Sequence, residues 1–255
     1  MTAPRTMAAT NQAAQPDTSI YITRFRSLTD PHGEQESFAD WPEMCADLEA
    51  NYDRIANKRD GQGWSPTTFT GDTRAKRNVD RIYCLVLDYD KGTTSLEEAA
   101  EFWMYEAFRK FGFHPTFGLT KACLVHSSFS STPEHPKFRV IMPLSQPVDA
   151  EEFAIIWGYV AGLAAEAGHE IDEACKDPSR LWFWPSCPEG QTVVFRSSDS
   201  GAPLDVKRIF KECRYKARRK SDGLARSSQS VVSSSFRTFE RGLDDIRDAA
   251  EGTRQ

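Results

Sequence analysis

The stretch Ile82-Tyr83-Cys84-Leu85-Val86-Leu87-Asp88-Tyr89-Asp90-Lys91 decides how the rest of the chain reads. Mostly apolar residues run into two carboxylates and then into the turn pair Lys91-Gly92. A short apolar run bounded by turn residues predicts a strand buried on both faces. Side chains alternate along a strand, so Asp88 and Asp90 project to one side while Tyr89 points to the other. Two acids side by side repel each other unless cations sit between them. Magnesium and manganese are hard ions that prefer such oxygen ligands, usually together with phosphates. Solvated strand-end acids give the same pattern, so Asp-x-Asp alone leaves both readings open.

The surrounding composition fits one sizeable domain with an appendage: 255 residues, 39% hydrophobic and 11% aromatic. The longest apolar stretches fall well short of a membrane span, and no charged-then-apolar leader is present, which points to a cytoplasmic protein. Six scattered cysteines without a Cys-x-x-Cys fit a reducing compartment. His169, Cys175, Cys187 and Cys213 match no zinc-ligand spacing, so no zinc is expected. The net charge of −5 is uneven: from Lys207 onward 13 basic residues face 7 acidic ones, leaving that tail at +6 and the rest at −11. An acidic body with a basic tail suits nucleic acid where the positive charge is concentrated.

Residues 1–18 show no hydrophobic period and read as disordered, which leaves 19–213 as the main domain. Alternation over Ser19–Leu28 predicts a first strand. Helical spacing of Trp41, Met44, Cys45, Leu48 and Tyr52 predicts a helix to Ile55 with Asp40 as its cap. Residues 57–80 read as a polar loop whose Arg74, Lys76 and Arg77 are either plain surface or a nucleic-acid contact. Ser95 with Glu98 forms a capping-box pattern for a helix ending at Gly112. Strands are expected over Thr120–Ser128 and Lys137–Leu144, joined by a polar hairpin, and a helix capped by Asp149 follows to about Ala167. The aromatic run Leu181–Pro185, a strand over Thr192–Arg196 and a short helix near Val206–Cys213 close the domain. Residues 214–235 are a basic, serine-rich linker, and 236–255 hold an amphipathic helix.

Several segments now bear on the acid pair. In Lys137-Phe138-Arg139 both cations face one side of their strand. The hairpin brings Ser127, Ser128 and Ser130 near them, and hydroxyls, backbone N–H groups and paired cations make a site for phosphate oxygens. Arg180 is a further cation and Asp172 a third carboxylate. Each also has an ordinary reading: surface cations on an edge strand, turn serines, an N-cap at Asp172, a pair between Arg180 and Asp177. His126 and His135 read first as strand-end and loop residues.

Taken together, Leu-Val-Leu-Asp-Tyr-Asp, then Val-His-Ser-Ser-Phe-Ser-Ser-Thr-Pro-Glu-His-Pro-Lys-Phe-Arg-Val-Ile-Met-Pro-Leu, then Asp-Pro-Ser-Arg-Leu-Trp-Phe-Trp-Pro resembles the archaeo-eukaryotic primase superfamily. More narrowly, it resembles the primase-polymerase modules of phage and plasmid replication proteins, over about residues 64–186. The resemblance implies an α+β fold with an RRM-like, mixed or antiparallel sheet and flanking helices. It also implies a DNA-dependent primase-polymerase that makes or extends primers on single-stranded DNA with two magnesium or manganese ions. Asp88, Asp90 and Asp172 would be the catalytic metal ligands. Ser128, Ser130, Lys137, Arg139 and Arg180 would bind the incoming NTP or dNTP or the template backbone. Ser131 stands where mobile-element relatives often have histidine, and Lys137 where arginine is usual. Arg139, His126 and His135 are the candidates for the histidine's role.

The segment from Leu243 to Gln255 looks like the start of a helical module that often follows such cores, so a replicative helicase, fused or separate, is an expected partner. Two other readings remain: a nucleic-acid-binding replication module without chemistry, and a metal-dependent nuclease. Loop 74–81 and tail 207–220 would add non-specific grip on single-stranded template in the polymerase reading, and the binding module would keep that basic grip.

Overall fold

The computed structural model describes residues 18–71, 73–109 and 120–214. The expected linker and C-terminal helix lie outside them. In chain order the elements are β1 (Ile20–Phe25), β2 (Glu34–Phe38), α1 (Trp41–Ala50), β3 (Asp53–Arg54), β4 (Gly63–Ser65), β5 (Thr67–Phe69), β6 (Val79–Tyr89) and α2 (Leu96–Glu101). They continue with β7 (Cys123–Ser127), β8 (Phe138–Val148), α3 (Ala150–Glu166), β9 (Trp182–Phe183), β10 (Ser186–Cys187) and β11 (Phe195–Ser198). A helix over 206–214 follows. The architecture is α+β.

The apolar run before Asp88 lies in β6, between β8 and β5 in the antiparallel five-stranded sheet β11-β7-β8-β6-β5. Its side chains divide by parity. Leu85, Leu87 and Tyr89 pack with Val125, Phe138 and Val140 beneath α2, α3 and the 206–214 helix. Cys84 and Val86 face the other way, with Leu124 and Ile141, onto Ile22, Met44, Trp64, Trp182 and Trp184. A strand clamped between two apolar layers has to be apolar at every position, which is why it reads as an unbroken run.

Helices α2 and α3 and the 206–214 helix cover one face. The other is covered by α1 and a second antiparallel sheet, β2-β1-β4-β9. The segment expected to be a polar loop supplies β4 to that sheet and β5 to the five-stranded one; each is a three-residue strand, on either side of Pro66, and too short to show alternation. Thr67 is buried and satisfied from within: its Oγ1 donates to the Pro178 carbonyl at 2.8 Å, and its carbonyl accepts from Thr23 Oγ1 at 2.6 Å. Strand β2, with the sequence Glu-Gln-Glu-Ser-Phe, has no apolar alternation to announce it and is specified by pairing with β1.

Helix α1 stops at Ala50 rather than Ile55. Asn51 closes it by donating to the Asp47 carbonyl, and the chain then extends so that β3 pairs in parallel with β10. The aromatic run is likewise shorter than expected, because Trp184 leaves the strand to hydrogen-bond Gln62 and its indole donates to the Asn51 carbonyl at 2.9 Å. Helix α2 passes at Phe102 into a π-helical turn, Phe102–Glu106, where Trp103 donates through Nε1 to the Tyr89 hydroxyl at 2.8 Å. Helix α3 has the full capping box of Asp149 and Glu152. Among the described residues no helix is long and apolar enough to cross a membrane.

Trp64 is fully buried between the sheets and meets Trp184 edge-on at 6.1 Å. Trp64→Ala should therefore cost about 3–5 kcal/mol in urea unfolding. Val194→Ser, at an exposed position, should stay within about 0.5 kcal/mol.

Candidate functional site

The register of the five-stranded sheet brings three polar residues into one row. Asp88 on β6 is opposite Arg139 on β8, and Arg139 is opposite His126 on β7. All three share the sheet face of Val86, Ile141 and Leu124, at the end where the second sheet gives way to the 172–183 segment. Arg139 is 5% exposed. Its Nε lies 3.4 Å from Asp88 Oδ1, its Nη1 donates to the Phe183 carbonyl at 3.1 Å, and its guanidinium stands 5.5 Å from the Trp182 ring. Burial pulls the Arg139 pKa down and Arg180 adds to that, while Asp88 opposes both.

Arg180 approaches Trp182 as well, at 4.6 Å, so the indole has both guanidiniums as neighbours. Its close partner is Asp172 Oδ2 at 2.7 Å, with Asp88 Oδ2 farther off at 3.7 Å. Asp177 does not pair with it; that carboxylate accepts from the N–H and hydroxyl of Ser179. Asp172 is tied to the end of β6 by its own N–H, which donates to the Asp88 carbonyl at 2.9 Å. Its Oδ1 caps the Glu173–Lys176 turn by accepting from Ala174 N. Burial works against ionising Asp172, but the Ala174 N–H and the Arg180 guanidinium outweigh it and Lys91 helps, so its carboxyl sits below the usual carboxylate range. Beneath the pair, the Cys175 thiol accepts from Asp88 N–H at 3.3 Å, and burial pushes its pKa up to about 12.

Asp90 lies just past β6. Its Oδ1 is buried without a hydrogen-bond partner, while its carbonyl accepts from His135 Nε2 at 3.2 Å. His135 packs onto Gly92, whose φ of 73° and lack of a Cβ permit the contact. The hairpin is held by its backbone. Ser128 N–H donates to the Lys137 carbonyl and Lys137 N–H to Ser131 Oγ, which leaves Lys137 and Ser128 half-buried and Ser130 exposed. His126 is fully buried behind Arg139, with Nδ1 on the Ser127 carbonyl at 3.0 Å and Nε2 unpartnered. Burial, reinforced by Arg139, depresses its pKa to about 3.

The structure thus joins Asp88, Arg139, Arg180 and Asp172 in direct contact, sets Asp90 and His135 at the adjoining turn, and keeps Ser130 apart. Arg74, expected as a surface cation, donates to the Ser179 carbonyl at 2.9 Å and anchors the segment that carries Arg180; Lys76, Arg77 and Arg81 are exposed. Sequence reasoning missed the backing from Cys175, Trp182 and Phe183, and it missed Lys58, whose ammonium lies 4.8 Å from the Phe183 ring. Only the fold brings residue 58 to residue 183. A pocket of about 320 Å³ opens beside the hairpin, lined by Ser127, Ser128, Ser131, Thr132 and Gln191. A larger one, about 380 Å³, sits at the opposite end of the sheet by Trp41, Tyr83 and Pro143.

A model of the VapE N-terminal domain matches residues 17–220. The chain belongs to the VapE N-terminal domain family. No curated protein matches it. Among solved structures, this VapE N-terminal domain is similar to the archaeo-eukaryotic primase domain of the cyanophage S-2L primase-polymerase, with 11% identity and a TM-score of 0.40 over 76% of this chain and 88% of that one. It is also similar to the polymerase domain of Mycobacterium tuberculosis ligase D, in complex with DNA, with 13% identity and a TM-score of 0.36 over 78% of this chain and 82% of that one.

His126 gives a pH prediction whose sign is fixed by its low folded pKa. Between the ordinary value near 6.5 and about 3 the unfolded chain binds the proton and the folded one does not, so stability falls as pH drops through that window. His126→Asn should show a shallower loss of urea stability than the wild type between pH 6.5 and 4. Equal slopes would mean that the imidazole titrates freely in the folded state.

Proposed function

We propose that the domain is a template-directed nucleotidyltransferase, extending or starting primers on single-stranded DNA from nucleoside triphosphates. The observation that carries this reading is the juxtaposition at the end of β6: the Asp88 carboxylate against the buried guanidinium of Arg139 and near that of Arg180, with Asp90 just beyond, one of its oxygens buried and unpartnered. Carboxylate oxygens beside fixed cations suit a reaction that gathers divalent ions and phosphates in one place.

Asp88 and Asp90 fit magnesium or manganese in donor type, and the orphaned Asp90 oxygen has room in its hydrogen-bonding for such a ligand. Asp172 fits on one condition. Both its oxygens are engaged, by Ala174 N–H and by Arg180, so Arg180 has to release it before it joins the other two. Bound there, two divalent ions would lower the pKa of an attacking 3′-hydroxyl and screen the leaving pyrophosphate. The chain's own groups do the rest. Arg139, fixed by Phe183 and Trp182, presents positive charge that needs no reorganisation. Arg180, once it leaves Asp172, becomes a second guanidinium for phosphate oxygens, and Lys137 a third cation at the hairpin. Ser128 and the neighbouring pocket offer hydroxyls to the same anion.

One observation favours a second reading, a nucleic-acid-binding module without chemistry. Among the described residues no group of three or more His, Cys, Asp or Glu side chains is gathered to hold a metal. The readings separate in one assay with single-stranded template, labelled triphosphates and magnesium or manganese, with and without primer. The wild type should incorporate label, and Asp88→Asn/Asp90→Asn should lose about a hundred-fold or more. Template binding by both proteins without incorporation by either would contradict the polymerase reading, and shortening of the strand would replace it with a nuclease.

A further inference from the structure

Lys58 belongs to a turn that the sequence presents as ordinary surface. The 3-10 turn Lys58–Asp60 is capped by Asn57, whose side chain accepts from Arg59 N, and it closes with Gly61 N–H on the Lys58 carbonyl. The chain then enters β4, which pairs Gly63 with Phe183 and Trp64 with Trp182. The turn is therefore fixed along the same short strand whose Trp182 ring neighbours Arg139 and Arg180 and whose Phe183 carbonyl accepts from Arg139. Lys58 is half-buried where Arg59 and Asp60 are exposed. Its ammonium stands over the Phe183 ring, and among the described residues it makes no ion pair.

We propose that Lys58 contacts phosphate, completing with Lys137, Arg139 and Arg180 a cationic wall that takes the polyphosphate tail of the nucleoside triphosphate. This rests on the reading of the Asp88 site as one that handles triphosphates. A half-buried ammonium without a carboxylate partner costs solvation and gains little from an aromatic face alone, so an anion in front of it is what balances the position. The electrostatics agree: burial lowers the Lys58 pKa, Arg139 and Lys137 lower it further, and Asp88 opposes them. Groups that influence one another in this way share one field, and a multivalent anion is the kind of ligand that answers several cations at once. Template backbone presents the same phosphate chemistry, but one charge per nucleotide rather than several on adjacent groups, which matches a cluster of cations less well.

The test titrates inorganic tripolyphosphate and, separately, oligothymidylate onto the full chain, by calorimetry, for the wild type, Lys58→Met, Lys58→Arg and the exposed-turn control Arg59→Met. Near-ultraviolet circular dichroism establishes that each variant is folded. Lys58→Met should weaken tripolyphosphate about ten-fold or more, Lys58→Arg should restore it to within about three-fold, and Arg59→Met should match the wild type. In nucleotide incorporation, Lys58→Met should raise KM for the triphosphate more than it lowers kcat. Wild-type tripolyphosphate binding by Lys58→Met overturns the proposal, as does an equal effect of Lys58→Met and Arg59→Met. A Lys58→Met effect on oligothymidylate alone also overturns it, by assigning the residue to template. The outcome is separable from that of the parent reading. Lys58-dependent tripolyphosphate binding without incorporation by any variant upholds the Lys58 site and defeats nucleotidyl transfer. Incorporation indifferent to Lys58 does the reverse.

Discussion

The pairing of β6 with β8 places Asp88 opposite Arg139, and the site is built out from that one contact. Neither partner is free to move: Asp88 is held through its backbone by Cys175 and Asp172, and Arg139 by the Phe183 carbonyl. The pair is also long, at 3.4 Å, with Arg139 Nε lacking hydrogen-bond geometry although it is buried. Partners this desolvated gain little from each other unless the geometry is good, so the arrangement reads as one that keeps charge available rather than one optimised for stability. Breaking it from either side would leave a buried charge exposed to an apolar surrounding, which ties the fold and the candidate chemistry together.

Around that contact Arg139 and Arg180 face the Trp182 ring and Lys58 faces the Phe183 ring, while Asp88 and Asp172 answer them in part. Asp90 stands just beyond with an oxygen that nothing satisfies. Buried polar atoms are nearly always paired in folded proteins, and an exception asks for an explanation such as a bound water or ion. Asp90 Oδ1, Arg139 Nε and His126 Nε2 all fall at this end of the sheet.

Much of this was legible in the sequence, and the physical reason is periodicity. An unbroken apolar run ending in Asp-x-Asp specified β6, and alternation through Lys137-Phe138-Arg139 set Phe138 and Arg139 on opposite faces of β8. Asp149 with Glu152 marked the start of α3. What escaped notice depends on contacts between distant segments. Strand β4 is too short and β2 too polar to carry a pattern, so the pairing of the second sheet was invisible and the place of Lys58 with it. Arg74 looked like surface because nothing local reveals the Ser179 carbonyl that binds it. The link from Asp172 to Asp88 runs through backbone groups, which carry no residue signature at all.

The central claim is that the end of β6 is where divalent ions and a triphosphate meet. A crystal structure of the chain with manganese and a non-hydrolysable triphosphate analogue tests it most directly. The account predicts anomalous density between Asp88 and Asp90, phosphate oxygens within hydrogen-bond reach of Arg139 and Arg180, and Asp172 released from Arg180. Manganese elsewhere on the molecule, or an analogue bound away from Arg139 with the Arg180–Asp172 pair intact, would contradict it.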